Sequence, residues 1–264
     1  VIDDFVKTEL RIFEHVDKIR YATYPVVENL KSIIQSLNVL DAEGVHKLIK
    51  EHQTVIFEGA QGVLLDQDYG TYPYNTWSTT TSENAHRIIA DVDSDVRAEE
   101  IGVIRTFLTR HGPGPMPSEN ASLLKTFTDY NNGTNPWQGA FRFGQLDFVL
   151  LDYALSLNKG VDSFAITHAD WLNLGIPWLP AEMHVIGRET YSKLPVPKAP
   201  NFLRQQQFTD MLMKAKAINT GLNSYNLTKT TGIESVMEMM KTRFGIPTSV
   251  YSEGPNESQY KSLL

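Results

Sequence analysis

A turn of small residues that carries one long amide side chain is the part of this sequence best suited to chemistry. Gly59, Ala60 and Gly62 surround Gln61, and glycines let backbone approach a ligand closely. An amide offers both a donor and an acceptor, which suits a purine edge. Residues 54–57 are β-branched or aromatic, so we expect a short buried strand that runs into the turn. Ligands of α/β proteins lie where such loops leave strands. The pattern indicates a nucleotide-type site, and a plain strand-to-loop turn is the alternative.

The composition limits the class of protein. The chain has 264 residues, 41% of them hydrophobic, which is enough for one large domain or two small ones. Its net charge of −7 argues against a sequence-independent nucleic-acid binder. Cysteine is absent, which excludes disulfides, thiolate catalysis and cysteine-ligated metals and fits a reducing cytosol. The longest apolar run, at 148–151, is broken by Asp152, so we expect no membrane span.

Hydrophobic periodicity alternates between helix and strand along the chain. Helical patterns cover Phe5 to Ile19, residues 26–37, a segment capped by 82–84, residues 146–157 before Gly160, and residues 233–244 before Gly245. Strand patterns cover residues 54–57, 101–109, 163–167, 183–186 and 249–251, whereas 177–200 is rich in loops. The alternation predicts an α/β fold with a mostly parallel sheet and helices on both faces.

Six segments in a fixed order carry a resemblance to a known family. Residues 58–66, EGAQGVLLD, with GTYP at 70–73, closely resemble the nucleoside-monophosphate loop of adenylosuccinate synthetases. Thr76 follows at the family's spacing. The remaining four segments are similar to the family's TTR-V-G-x-GPFPTE, GWLD, T-K-L-D and S-T-GP, and here they read TRHGPGP-x-PSE, GQLD, THAD and SEGP. The resemblance extends from residue 58 to residue 255.

This resemblance implies a ligase that joins L-aspartate to the 6-position of a purine nucleoside monophosphate such as IMP, giving adenylosuccinate in purine biosynthesis. Such enzymes phosphorylate the 6-oxo group and let the amine of aspartate displace that phosphate. They use a nucleoside triphosphate, GTP or ATP, with Mg²⁺. The implied fold is of the adenylosuccinate synthetase type, related to P-loop nucleotide-binding proteins, as one domain over residues 1–264. We expect a cytoplasmic homodimer without nucleic-acid or membrane partners.

The same resemblance assigns the substrate-binding residues. Gln61 and Gly62 would clamp the purine, and the Thr76 hydroxyl would bind the monophosphate together with donors from residues 78–82. Without the shared order of segments, Thr76 and its neighbours would be read as turn and cap residues. Arg142 is the remaining candidate for binding aspartate, because arginine is a natural fork for a dicarboxylate.

Two further segments are assigned to the nucleoside triphosphate. His168 and Asp170 stand where the family holds its base, and the Asp170 carboxylate could accept from N1–H and the 2-amino group of guanine. Ser252, Gly254 and Pro255 would line the same base. Taken singly, Asp170 would be a capping carboxylate, His168 an exposed loop residue, and residues 252–255 a simple turn.

Departures from the family bear on the substrate. The family usually has G-R-x-R-R-x-G-W where residues 138–145 read QGAFRFGQ, so Arg142 alone remains in an ungapped register. The lost arginines remove a partner for the ribose 2′-hydroxyl, which favours a deoxynucleotide. His168 in place of lysine leaves the choice between GTP and ATP open. Both changes point to a branch like the phage 2-aminoadenylosuccinate synthetases, which use dGMP. A gapped alignment would undo part of this interpretation.

The family's catalytic loop, GDEGKG, is missing from this sequence, so no catalytic residue is assigned. The proline-rich residues 112–115 do not offer an equivalent nest of backbone N–H groups. Val1 opens within a helical pattern, and we therefore expect a longer natural chain and an inactive fragment. The alternative is a non-catalytic nucleotide-binding relative.

Overall fold

The structure is a computed structural model that describes residues 16–92, 96–127, 132–134, 136–158, 160–219 and 232–263. It divides into two compact units, Val1–Ile56 and Phe57–Leu264. In the first unit, α1 spans Val16–Ser36 and α2 spans Ala42–Glu51. The helix expected over 26–37 is confirmed to Ser36, whereas the pattern at Phe5 to Phe13 lies outside the described residues. The expectation of one domain over the whole chain stays a prediction.

The strand expected at residues 54–57 is wrong. These residues belong to no strand, and Ile56 is 86% exposed. A β-branched segment becomes a strand when a neighbour supplies ladder hydrogen bonds, and none of the described strands pairs with this one.

The second unit holds all the described strands and four α-helices. The helices are α3 (Glu83–Val92), α4 (Phe148–Leu157), α5 (Phe202–Lys214) and α6 (Ile233–Phe244). The strands are β1 (Glu100–Arg105), β2 (Phe107–His111), β3 (Phe141–Gln145), β4 (Val161–Thr167), β5 (Met183–Ile186), β6 (Glu189–Tyr191), β7 (Lys216–Ile218), β8 (Thr248–Ser252) and β9 (Tyr260–Ser262).

The central sheet has the order β1-β4-β8-β9, with the first three strands parallel and β9 antiparallel. Two small antiparallel sheets are inserted between its strands along the chain, β2-β3 between β1 and β4 and β6-β5-β7 between β4 and β8. The expected α/β class with a mostly parallel sheet is confirmed, as are the helices that became α3, α4 and α6. Among the described helices, none combines the length and apolarity needed to cross a bilayer.

The run at 101–109, expected as one β-segment, is two strands separated by Thr106. Thr106 is fully buried, its N–H donates to the Thr167 carbonyl at 3.2 Å and its hydroxyl donates to the His168 carbonyl at 2.7 Å. These bonds hold the chain where it leaves the sheet and begins β2. Trp178 Nε1 also donates to the Thr106 carbonyl at 2.6 Å, so the end of β1 is fixed from two sides.

The main core packs α6 and an aromatic group against the sheet. The aromatic group includes Phe107, Phe127, Phe143 and Trp171, and the Phe127 and Trp171 rings are stacked with centroids 4.3 Å apart. Two of these rings lie in β2 and β3, Phe127 lies between those strands, and Trp171 lies in the 3₁₀ helix Ala169–Leu174 that follows β4, so the core holds the segment at the carboxyl end of β4. Helix α5 was not predicted, since three consecutive glutamines interrupt its apolar period.

Asp147, the last residue of the GQLD segment, has a structural role. Its Oδ1 accepts from the backbone N–H groups of Val149 and Leu150, both at 3.1 Å, which caps α4. Its Oδ2 lies 2.7 Å from Nε2 of His184, and both side chains are fully buried. Asp147 thus ties the start of α4 to β5, as a capping carboxylate often does in addition to its local role.

Candidate functional site

Gln61 and Thr76, predicted to bind the same ligand, lie in contact. Gln61 has a φ of 65°, in the left-handed region, and its Nε2 donates to Thr76 Oγ1 at 3.4 Å. Gly62 follows directly and precedes a short 3₁₀ helix, Val63–Leu65. A non-glycine residue in this conformation costs about 1–3 kcal/mol, and such strain concentrates at ligand sites. The loop thus presents an exposed amide beside a hydroxyl.

Asp66 organises this loop, a role that the sequence did not reveal. It is 1% exposed. Its Oδ1 accepts from the backbone N–H groups of Asp68 at 2.9 Å and Tyr69 at 3.1 Å, and its Oδ2 accepts from Thr80 N–H at 2.7 Å. Charge-assisted bonds of this kind are about twice as strong as neutral ones. The carboxylate therefore ties residues 66–69 to Thr80, and an aspartate directly after the apolar residues 63–65 was the available signal.

Backbone bonds complete the loop. Thr76 N–H donates to the Leu65 carbonyl at 2.8 Å, and Gln67 N–H donates to the Ser78 carbonyl at 3.1 Å. Gly70 is required here because a Cβ at this position would lie 2.4 Å from the Asp66 carbonyl oxygen. The position of Thr76 relative to Gln61 is thus set by backbone geometry.

Arg142 is held by the loop after β2. Its Nε donates to the Gly112 carbonyl at 3.1 Å, Nη2 to the Gly114 carbonyl at 2.7 Å, and Nη1 to Glu119 at 2.7 Å. All three guanidinium nitrogens therefore take part in contacts within the chain. A cavity of about 260 Å³ lies beside it, lined by Gly112, Pro113, Gly139, Ala140 and Arg142.

Arg110 adds a second cation, which the sequence placed in a motif without a role. It faces Arg142 across the β2-β3 pair. Its Nε donates to the Pro113 carbonyl at 2.9 Å and its Nη2 to the Tyr74 carbonyl at 2.7 Å. Burial, and then the neighbouring Arg142, lower the pKa of Arg110 to about 10. The bond to Tyr74 links this cationic region to the loop that carries Thr76.

The residues assigned to the triphosphate gather at the carboxyl ends of β4 and β8. These strands are parallel neighbours, with Ile166 opposite Tyr251. Residues 168–170 and 252–255 therefore leave the sheet at one edge, and this edge is where α/β proteins bind ligands. The Asp170 Oδ1 atom is buried and has no hydrogen-bond partner among the residues that the structure describes. A buried carboxylate oxygen without a donor is costly unless a ligand supplies one.

The other residues assigned to the triphosphate are positioned by contacts with their neighbours. His168 has a φ of 61°, its Nδ1 lies 3.0 Å from the Thr167 hydroxyl, and its ring meets the Trp171 ring edge-on at 4.5 Å. Ser252 is buried at the end of β8. A Cβ at Gly254 would lie 2.3 Å from the amide of Gln259, so a larger residue in this turn, which continues into Pro255, would displace that side chain.

No group of three or more histidine, aspartate or glutamate side chains that could hold a metal ion occurs within the described part of the chain. The Mg²⁺ expected from the resemblance stays a prediction for a chain that contains the phosphate loop.

Comparison with known proteins identifies a family. The profile described as adenylosuccinate synthetase matches residues 2–260. The adenylosuccinate synthetase of Desulforamulus reducens is 37% identical over 155 residues, which is 57% of this chain and 34% of the relative. That of Flavobacterium johnsoniae is 27% identical over 245 residues, 89% of this chain and 54% of the relative. The chain therefore spans between about a third and about half of the length of these relatives.

Two solved structures share the fold. The fully ligated adenylosuccinate synthetase from Plasmodium falciparum aligns with a TM-score of 0.66 at 15% identity, covering 100% of this chain and 64% of that one. The cyanophage S-2L succinoaminodeoxyadenylate synthetase, bound to dGMP and dATP, aligns with a TM-score of 0.51 at 16% identity, covering 85% of this chain and 51% of that one.

Proposed function

Since the chain belongs to the adenylosuccinate synthetase family, we propose that it forms the substrate-binding part of a ligase that joins L-aspartate to the 6-position of a purine nucleoside monophosphate. A nucleoside triphosphate would phosphorylate the 6-oxo group, and the amine of aspartate would then displace the phosphate. The catalytic base and acid would lie in the phosphate-loop part of a longer protein. A homodimer and a cytoplasmic location stay predictions for that protein.

The partnerless Oδ1 of Asp170 carries this proposal. It lies at the ligand-binding edge of a parallel sheet, beside the turn that contains Ser252, Gly254 and Pro255. A purine with an N1–H and a 2-amino group would supply two donors to one carboxylate, which is the pairing expected for a guanine base. His168, fixed against Trp171, would close one side of that base.

The monophosphate is assigned to the loop organised by Asp66. The Gln61 amide already bonds the Thr76 hydroxyl, and a bound nucleotide would take both groups, the amide for the purine and the hydroxyl for the phosphate. The exposed position of Gln61 and the fixed backbone of Thr76 support this role because neither requires the loop to refold. Binding to a preorganised loop saves the ordering cost that a flexible one incurs.

Aspartate is assigned to the cavity beside Arg142. Arg142 lines this cavity, and Arg110 lies opposite Arg142 in the strand pair, so a dicarboxylate there would reduce the repulsion between the two cations. The guanidinium nitrogens of Arg142 already bond Gly112, Gly114 and Glu119. Arg142 would therefore bind aspartate with the part of its side chain that lines the cavity, and it would also position the loop that forms the cavity.

Two nucleoside monophosphates are candidates for the substrate. IMP is the substrate expected for the family, and dGMP is favoured by Gly139, Ala140 and Phe141, which stand where the family usually has arginines. Gly139 and Ala140 line the cavity beside Arg142, so no charged side chain from these two positions would reach a ribose 2′-hydroxyl there. A non-catalytic nucleotide-binding protein is the rival from another class.

Two measurements test the proposal. Calorimetric titration of the 264-residue chain with IMP, dGMP, GTP and ATP should detect a monophosphate and a triphosphate that bind without competing. Competition between all four for one site would contradict the assignment of separate loops. The complete reading frame decides between ligase and rival, because a GDEGKG-like loop upstream supports the ligase and a start codon at or near Val1 supports the rival.

A further inference from the structure

A second cavity lies away from the residues assigned to the substrates. It has a volume of about 270 Å³ and is bounded by α5, by residues 195–197 and by the Asp68–Tyr69 part of the substrate loop. Its apolar wall is formed by Tyr153, Phe208 and Met211. The rings of Tyr153 and Phe208 are stacked, with centroids 4.7 Å apart and planes inclined by 26°. Phe208, stacked on the buried Tyr153, and Met211 thus give one side of a small, partly open cavity an apolar surface.

The polar side of the cavity comes from the first turns of α5. Asn201 caps the helix, its side chain accepting from Arg204 N–H at 3.0 Å. The guanidinium of Arg204 is exposed and forms no hydrogen bond or ion pair with any described residue. Gln207 adds an amide to the same lining. An exposed cation that lines an apolar cavity attracts an anionic group.

We propose that this cavity binds a small, flat aromatic molecule that carries one anionic group. The ring would lie against Phe208, whose own ring is stacked on the buried Tyr153, and the anion would bind Arg204. The volume lies near the lower end of the range of ligand pockets, so it suits one or two fused rings and leaves no room for a whole nucleotide. Aromatic walls with a few convergent polar groups are the usual composition of such sites.

An occupant would contact the substrate loop directly. The Tyr153 hydroxyl donates to the Tyr69 carbonyl at 2.8 Å, and Gln205 Nε2 donates to the Gln67 carbonyl at 2.8 Å. Both acceptors are neighbours of Asp66, the residue that holds the loop with Gln61 and Thr76. Ligand binding in the cavity therefore changes the affinity of the loop for its nucleotide, and the nucleotide changes the affinity of the cavity by the same factor. This coupling rests on the proposed function, whereas the binding itself does not.

Indole-3-acetate, with neutral indole as its matched partner, tests the binding. The dissociation constants of both are measured by ligand-observed NMR on the 264-residue chain without nucleotide. Arg204→Gln should raise the dissociation constant of indole-3-acetate by about fivefold or more, since an exposed cation contributes on the order of one charge-assisted bond. The dissociation constant of indole should change by less than about twofold. Arg188→Gln, which removes an exposed arginine between β5 and β6, is the control and should change neither. Val196→Trp, at the lining, should weaken both ligands.

Several results would overturn the site. They are the absence of indole-3-acetate binding at millimolar concentration, equal weakening by the Arg204 and Arg188 variants, or unchanged binding in Val196→Trp. The coupling has its own readout, the dissociation constant of the purine monophosphate with and without saturating indole-3-acetate. An unchanged constant contradicts the coupling while the binding site stands. A chain that binds indole-3-acetate and no monophosphate contradicts the proposed function alone.

Discussion

Arg110 and Arg142 lie directly opposite each other on β2 and β3, with their guanidinium groups turned to carbonyl oxygens of one loop. Arg110 bonds Pro113, and Arg142 bonds Gly112 and Gly114. Two like charges would ordinarily separate, and here the carbonyls hold them together. Glu119 neutralises one of them. The pair leaves excess positive charge beside a cavity in a chain whose net charge is −7, which favours an anionic ligand at this place.

Replacing Arg142 by lysine should loosen this loop. One ammonium group cannot supply three nitrogens in a plane, so at least one of the bonds to Gly112, Gly114 and Glu119 is lost. We expect Arg142→Lys to lower the free energy of unfolding by about 1–3 kcal/mol and, in the complete enzyme, to raise the KM for aspartate. Urea unfolding and steady-state kinetics measure the two effects. Arg188→Lys is the control, and wild-type aspartate kinetics in Arg142→Lys would contradict the assignment.

The Gln61 amide should matter for binding and little for folding. Gln61→Ala removes an exposed side chain and leaves purine donors and acceptors unpaired, so we expect monophosphate affinity to fall by about 1–3 kcal/mol. The thermal midpoint should stay close to that of the parent chain. Gln35→Ala, on the exposed surface of α1, is the matched amide control. A collapsed thermal midpoint with intact affinity would show that Gln61 is structural.

Asp170→Asn separates recognition of guanine from stability. The amide has the shape of the carboxylate, and Oδ1 has no partner to lose among the described residues, so the folded chain should be as stable as the parent. Its N–H₂ group would face the donors of guanine, and the affinity for GTP should fall about tenfold or more, with ATP less affected. Competition titration measures the ratio, with Asp210→Asn on α5 as the control. An unchanged ratio of GTP to ATP affinity would remove Asp170 from the base site.

Tyr153 should make the free energy of unfolding depend on pH in the alkaline range. Burial, and then the charges of Asp66 and Tyr69, raise its pKa above the ordinary value of 10.0. Above pH 10.0 the phenol of the unfolded chain loses its proton while the phenol of the folded chain keeps it. The contribution of this residue to the free energy of unfolding therefore falls as pH rises. At pH 8, Tyr153→Phe should cost about 1 kcal/mol through the lost bond to the Tyr69 carbonyl.

Unfolding by urea at pH 8 and pH 10.5 checks this dependence. The deficit of Tyr153→Phe relative to the parent should shrink at the higher pH, because only the parent has this proton to lose on unfolding. Tyr260→Phe, at an exposed position in β9, is the control and should show no such change. A deficit that grows with pH would mean that the sign of the pKa shift is wrong.

Sugar preference tests the divergent positions 139–141. A site that merely lacks a partner for a hydroxyl discriminates weakly, whereas one built to bond it rejects the deoxy analogue strongly. The complete enzyme should therefore use deoxynucleoside monophosphates about as efficiently as ribonucleotides, or better. Competition between dGMP, dIMP, GMP and IMP at equal concentrations measures this. A strong preference for IMP over dIMP would show that another residue bonds the 2′-hydroxyl.

The sequence by itself determined the family and the α/β class, and it also supplied the loops to which we assign the substrates. Local backbone geometry restricts some residues of these loops, as the left-handed φ of Gln61 and the crowded Gly70 illustrate. The helical patterns of α4 and α6 were equally readable, since α6 buries one apolar face and α4 contributes apolar residues to both hydrophobic clusters.

The tertiary structure alone decided how these loops are held. The role of Asp66, the opposition of Arg110 and Arg142, and the partnerless oxygen of Asp170 depend on hydrogen bonds and strand register between segments far apart in the chain. The same dependence explains the wrong strand at residues 54–57, because β-structure requires a neighbouring strand and local composition does not encode one. Contacts between distant segments are set by packing of the whole unit, so a local sequence pattern does not predict them.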